Sequence, residues 1–99
     1  MNQIVLVGRL VGDPAIKKLE NEGKASTITL AVPRSFKNID GIYETDFIPV
    51  ILWNGIATNT CEYCHTGDVV AVKGRIQTKD NQIQIIAEKL TFLSNGKED

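Results

Sequence analysis

The sequence predicts an all-β domain of five strands, with one short helix between the third strand and the fourth. Residue content points that way, because 8 Val, 12 Ile and 8 Thr account for 28 of the 99 residues. Such β-branched side chains favour pleated sheets over helices. Apolar and polar residues alternate in five separate segments, and a single segment has the i, i+4 spacing of a helix.

Length and composition narrow the class of protein further. A chain of 99 residues that is 42% hydrophobic fits one folded domain. No apolar run reaches the roughly 18 residues of a membrane span, and residues 1–3 lack the basic start of a secretory signal. The 11 Lys and Arg nearly balance the 12 Asp and Glu. Any binding of nucleic acid therefore depends on where the cations lie, not on net charge.

Turn residues bound each predicted element. The five strands are predicted at Asn2–Val11, Ala25–Pro33, Thr45–Asn54, Asp68–Lys79 and Gln82–Leu93. Between them we expect a polar turn at Glu20–Lys24, a long loop at Arg34–Glu44 and a tight hairpin at Asp80-Asn81. The helix is predicted over Gly55–His65, ended by Gly67.

This order of elements favours a small closed barrel, because an open meander would leave two exposed edges. A helix between the third and fourth of five strands is the pattern of the OB-fold, which we assign to residues 1–94, with a short polar C-terminal end at 95–99. SH3-like barrels also have five strands and are the alternative. Gly8 and Gly74, both in mid-strand, are expected where the barrel bends sharply.

The third predicted strand is apolar on both faces. Ile48, Val50 and Leu52 suit the barrel interior, which leaves Phe47 and Trp53 pointing outward. Outward aromatic rings can stack on unpaired bases whatever their sequence. The alternative is that a subunit or the helix covers them.

Cations accompany aromatic rings in two other segments. On the fourth predicted strand Lys73 and Arg75 share one face, and Lys79 follows at the hairpin. A row of this kind can follow a phosphate backbone, although an ordinary solvated strand face looks the same. In the long predicted loop, Phe36 lies between the cations Arg34 and Lys37.

The first predicted strand would carry an outward apolar row of Val5, Val7 and Val11. Water is a poor environment for such a row beside a strand edge, so we expect self-association.

Cys61-Glu62-Tyr63-Cys64-His65 matches the pattern for covalent haem attachment. The single methionine is the first residue, and His65 is the single histidine, so an axial Met and a zinc ligand set are both lacking. The two cysteines are instead expected to pack on the barrel, and we expect no metal and no cofactor. No catalytic constellation is recognisable either, so an enzyme is not expected.

Several segments together resemble the bacterial single-stranded DNA-binding proteins. They are residues 2–10, Asp13-Pro14, residues 29–32, residues 45–53 and residues 72–78. The resemblance implies an OB-fold, usually a homotetramer, that coats single-stranded DNA in replication, repair and recombination in the cytoplasm, at the nucleoid. It also implies that Phe36, Phe47 and Trp53 stack on bases, with Arg75 and Lys79 near the bound strand.

Three features depart from that family. The hairpin at Asp80-Asn81 is short, Thr66 stands where the family usually has a lysine, and the chain ends at Asp99 without the long tail and acidic tip that recruit partner enzymes. Two explanations fit this C-terminal end: the chain is a tailless relative from a phage or mobile element, or it is a truncated chain. Tail-mediated replication partners are therefore not expected. The alternative functions are a module of the primosomal replication protein N type that bridges other proteins, and a haem or redox protein.

Overall fold

The computed structural model describes residues 1–18 and 23–96, which form six strands and one helix. The elements are β1 (Ile4–Val11), β2 (Lys17–Lys18), β3 (Lys24–Lys37), β4 (Tyr43–Trp53), α1 (Asn54–Tyr63), β5 (Val69–Lys79) and β6 (Gln82–Ser94). Most of the predicted polar turn at Glu20–Lys24 lies outside the described residues, and Lys24 already belongs to β3.

The five long strands close into a barrel. Their order is β1-β5-β6-β4-β3, and β3 pairs with β1 to complete the ring. Strand β4 meets β6 in parallel through Ile51 and Ile86, whereas the other pairs are antiparallel. The two residues of β2 add to the start of β3. This confirms the predicted five-stranded barrel with a helix between the third and fourth long strands, and it adds the short β2.

The predicted loop at Arg34–Glu44 is wrong at both ends. Strand β3 continues to Lys37 and β4 starts at Tyr43, so the connection is residues 38–42. A bulge between Pro33 and Lys37 lets the strand pass the proline and resume pairing. Asn38 shapes the turn, since its Oδ1 accepts hydrogen bonds from the backbone N of Asp40 (2.9 Å) and of Ile42 (3.0 Å).

The helix begins at Asn54 and ends at Tyr63, two residues before the predicted end at His65. Cys64 is already extended, and its N–H bonds to the Thr60 carbonyl. Gly67 has a φ of 88° in the turn that leads into β5, a left-handed conformation that favours glycine. The predicted hairpin at Asp80-Asn81 is confirmed, because both residues have positive φ, as a type I′ turn requires.

Inward side chains from all the long strands form one core. Its fully buried members include Leu30, Val50, Leu52, Val70 and Val72. Gly74 lies at a bulge in β5, where a Cβ would collide with the Ile86 carbonyl, which confirms the predicted bend. No helix in residues 1–18 or 23–96 is long and apolar enough to cross a membrane.

Candidate nucleic-acid interface

Strand β4 presents aromatic rings on the outside of the barrel. Val50 and Leu52 are fully buried, while Phe47 and Trp53 on the alternate positions are 64% and 41% exposed. Ala31 on β3 lies directly opposite Phe47. Because the alanine side chain is small, it leaves the phenylalanine ring accessible. Trp53 ends the strand immediately before α1 and pairs with Ala25. One strand thus builds the core with one face and a surface of rings with the other.

Beyond the barrel, β3 and β4 continue as the β3–β4 arm (residues 33–47). Arg34 lies on this arm and is held by two carboxylates: Nε and Nη2 donate to Asp46 at 3.1 and 2.9 Å, and Nη1 donates to Glu44 at 2.6 Å. Hydrogen bonds from Arg34 hold the pKa of Asp46 below its usual range, and the same bonds raise the pKa of Arg34. The positive charge predicted here for phosphate binding is therefore neutralised in the free protein.

Tyr43 and Lys37 give the arm a second, different surface. Lys37 and Tyr43 face each other across the two strands, and the lysine Nζ lies 5.7 Å from the centre of the tyrosine ring. Phe36, beside Lys37, is 67% exposed. Predicted site residues Phe36 and Lys37 are thus in contact with solvent, as nucleic-acid contacts require.

The cations of β5 lie on its exposed face. Lys73 is opposite Val5 on β1 and Lys89 on β6. Arg75 approaches Glu88 at 3.7 Å, a single exposed contact of little energetic weight. Lys79 ends the strand at the hairpin turn and is exposed. These three predicted positions are accessible to a phosphate backbone.

The aromatic strand and the cationic strand are not neighbours. Strands β3 and β1 separate β4 from β5 on one side of the barrel, and β6 separates them on the other. Arg9 lies in the first gap, in a row of residues that runs Phe47, Ala31, Arg9, Val69 across four strands. A depression of about 410 Å³ opens beside it, and its Nη1 donates to the Gly67 carbonyl at 3.0 Å.

Sequence reasoning missed Arg9 and Tyr43 as site candidates. Tyr43 has the same parity as Phe47 and Trp53, so the alternation that placed those rings outside also applies to it. It was overlooked because the predicted loop included it. Arg9 lies on the first strand among the outward residues Val5, Val7 and Val11, a pattern that predicts self-association and not nucleic-acid binding.

Thr66, the residue that departs from the family lysine, has a structural contact. Its backbone N and Oγ1 donate to Asp13 Oδ1 at 2.8 and 2.7 Å. These bonds hold the pKa of Asp13 below its usual range. They connect the segment after β1 to the segment before β5, next to the pairing of those two strands.

The cysteines belong to the packing of α1. Cys64 is buried in the core, and burial raises the pKa of its thiol. Cys61 is half-buried, with its Sγ 3.8 Å from Ser26 Oγ. His65 is exposed. Within the described residues no group of three or more His, Cys, Asp or Glu could hold a metal ion.

Fold and surface together define an OB-fold protein with exposed rings and cations, and the fold has a solved counterpart. The single-strand binding domain of a Synechococcus protein superposes with a TM-score of 0.74, covering 92% of this chain and 94% of that one at 16% identity.

The chain belongs to the single-strand binding protein family, whose model matches residues 1–93. Single-stranded DNA-binding protein 2 of Clostridium acetobutylicum is 39% identical across 99% of this chain and 80% of its own length. Single-stranded DNA-binding protein B of Bacillus subtilis is 46% identical across 79% of this chain and 69% of its own.

Proposed function

We propose that the protein binds and coats single-stranded DNA without sequence preference, as part of replication, repair or recombination. The observation that carries the proposal is strand β4, whose buried face is aliphatic and whose outer face exposes Phe47 and Trp53. Rings on a barrel surface stack on any unpaired base. Relatives at 39% and 46% identity bear the name single-stranded DNA-binding protein, which supports the same ligand.

Bases stack on Phe36, Phe47 and Trp53 in this proposal, while cations contact the phosphates. Lys37, Lys73, Arg75 and Lys79 are exposed and reach solvent. Arg34 is the fifth predicted cation, and Glu44 and Asp46 already accept three of its five N–H donors. We therefore assign the phosphate contacts of the resting protein to the four other residues.

We propose further that the protein is a homo-oligomer, of which a tetramer is the expected form. Val5, Val7 and Val11 are 62%, 48% and 47% exposed. In the described part of the chain, residues 4–8 of β1 pair with β5 along one edge, and pairing with β3 begins only at Arg9. An open strand edge beside exposed valines suits pairing with a second copy.

The decisive experiment is a titration of fluorescently labelled oligo(dT), followed by anisotropy, at two salt concentrations and against duplex DNA of equal length. Binding of the single strand that weakens with salt, and much weaker binding of the duplex, is the expected result. Equal affinity for the two forms would contradict stacking, because paired bases cannot reach the rings. A matched pair of variants separates stacking from loss of apolar surface: Phe47→Ala should weaken binding, whereas Phe92→Ala, on β6 and also exposed, should not.

A further inference from the structure

On one face of the β3–β4 arm, Arg34 forms ion pairs with two carboxylates of β4. Along β4, Glu44 and Asp46 alternate with Tyr43, Thr45 and Phe47, so carboxylates and rings point to opposite faces. Arg34 binds both carboxylates, and Asn38 Nδ2 also donates to Glu44 at 3.2 Å. The two carboxylates of this face are therefore already paired with other residues of the arm.

The opposite face of the arm joins a ring to a cation. Tyr43 is 56% exposed although Lys37 lies over its ring at 5.7 Å. That distance is within the range of a cation–π contact, which orients both groups. Neither strand residue that carries this face, Tyr43 or Thr45, is acidic.

Tyr43 also continues the line of rings that the barrel presents. It precedes Phe47 by four residues on the same strand face, a separation of about 13 Å at 3.3 Å per residue. Trp53 extends that face at the other end. A flexible single strand of DNA whose base stacks on Phe47 and which continues along β4 would reach Tyr43 next, with Lys37 beside the ring.

We propose that Tyr43 and Lys37 form a further nucleotide-binding position on the β3–β4 arm, in which the tyrosine ring stacks on a base and the lysine contacts the adjoining phosphate. The proposal rests on the single-stranded DNA binding proposed above. It adds Tyr43 as a fourth stacking residue and gives Lys37 a specific partner. The ring–cation pair on an acid-free face favours a polyanion with aromatic bases over a protein partner, which the exposed tip residue Ile39 would otherwise suit.

Alanine substitution tests the position, and the chain supplies its own control. It contains two tyrosines, and both are exposed: Tyr43 on the arm and Tyr63 on α1. Tyr43→Ala should weaken binding of labelled oligo(dT) by about 5- to 150-fold, the range of one base–aromatic stack. Tyr43→Phe retains the ring and should bind like the original protein. Tyr63→Ala should also leave the affinity unchanged.

An abasic oligonucleotide of the same length separates stacking from any change in the arm's shape. Without bases, Tyr43→Ala and the original protein should bind equally, while Lys37→Gln should still bind less tightly. Equal losses for Tyr43→Ala on both oligonucleotides would overturn the stacking role. Retention of oligo(dT) affinity by Tyr43→Ala while Phe47→Ala loses it would overturn this position alone, and the arm would then be a surface for a protein. If neither variant lost affinity, the proposed function itself would fail.

Discussion

Arg34 grips Asp46 with two parallel hydrogen bonds, at 3.1 and 2.9 Å, and reaches Glu44 with a third nitrogen. A planar guanidinium matches a carboxylate in this two-pronged way, which lysine cannot do. The contact lies beyond the core, within the irregular stretch of β3 between Pro33 and Lys37. It therefore fixes the direction of the β3–β4 arm and hence the position of Tyr43 and Phe36.

This contact gives a pH dependence with a definite sign. The pKa of Asp46 is lowered in the folded protein by its hydrogen bonds with Arg34, so the stabilisation is complete above the unfolded value of about 3.9. It is lost as pH falls through the lowered folded value. As far as this contact is concerned, we expect the urea concentration at the unfolding midpoint to stay constant from pH 7 to about pH 5. It should fall below about pH 4.

Two variants test whether the loss of stability at low pH comes from the contact between Arg34 and Asp46. Asp46→Asn should make the fall below pH 4 less steep, because the ionised partner is gone at every pH. Asp40→Asn is the control, since the Asp40 carboxylate makes no hydrogen bond or ion pair within residues 1–18 and 23–96. Identical acid profiles for both variants would show that the Arg34 contact does not contribute.

Trp53 provides an intrinsic reporter, because it is the single tryptophan. Stacking on a base should quench its emission when poly(dT) is added. Trp53→Ala and Phe47→Ala should each cost about 1–3 kcal/mol of binding free energy. Unchanged emission at saturating poly(dT) would place Trp53 outside the path of the DNA.

The barrel bend at Gly74 should tolerate no side chain. A Cβ there would overlap the carbonyl of Ile86 on β6, so we expect Gly74→Ala to lower the free energy of unfolding by about 1–3 kcal/mol. Gly55→Ala is the matched control, because that glycine is in α1 and no atom lies within 4 Å of the place a methyl group would take. Because Gly55 lies in the first turn of α1, alanine there should leave the free energy of unfolding almost unchanged. Denaturant unfolding of both variants measures the difference, and equal stability of the two would contradict the close approach.

Local pattern was enough to predict the strands and the two-faced character of β4, since burial of Val50 and Leu52 follows directly from period two. It could not predict where β3 ends. Pro33 normally stops a strand, and only its pairing with Thr45 across the arm, followed by a bulge, carries β3 on to Lys37. Tyr43 was missed for the same reason.

The relation between the rings and the cations also depends on pairing at long range. Phe47 and Lys73 belong to strands that are separated by β1 and β3, a separation that no spacing in the sequence encodes. Closure of the barrel is what places Arg9 in the row that runs from Phe47 to Val69, the first residue of the strand that carries Lys73. The neutralisation of Arg34 is equally a product of the folded arm, because it requires Glu44 and Asp46 on one face.

Self-association should depend on the open half of β1. Replacing Val5 and Val7 with lysine should give a monomer in sedimentation equilibrium at micromolar concentration, because two charges would face the incoming copy. Ile39→Lys, at an almost fully exposed loop position, should leave the original oligomer intact. A monomeric original protein at the same concentration would contradict the interface.

Salt dependence tests the phosphate contacts as a set and returns to Arg34. With Lys37, Lys73, Arg75 and Lys79 each on one phosphate, counterion release from single strands gives log K against log salt a slope of about −0.7 × 4, or roughly −2.8 per subunit. Lys73→Gln should make it shallower by about 0.7 and weaken all sequences alike, because phosphate contacts carry no base information.

Removing the carboxylates that hold Arg34 should have the opposite effect. In the double variant Glu44→Gln, Asp46→Asn, the guanidinium is released to a fifth phosphate, so the slope should steepen to roughly −3.5 and the affinity at low salt should rise. Adding Arg34→Gln to that variant should return the slope to about −2.8, which distinguishes a new phosphate contact from the mere loss of two negative charges. Oligo(dT) titrations across a salt series measure all three slopes. If the triple variant kept the steeper slope, Arg34 would make no phosphate contact, and an affinity independent of salt would contradict the cationic surface altogether.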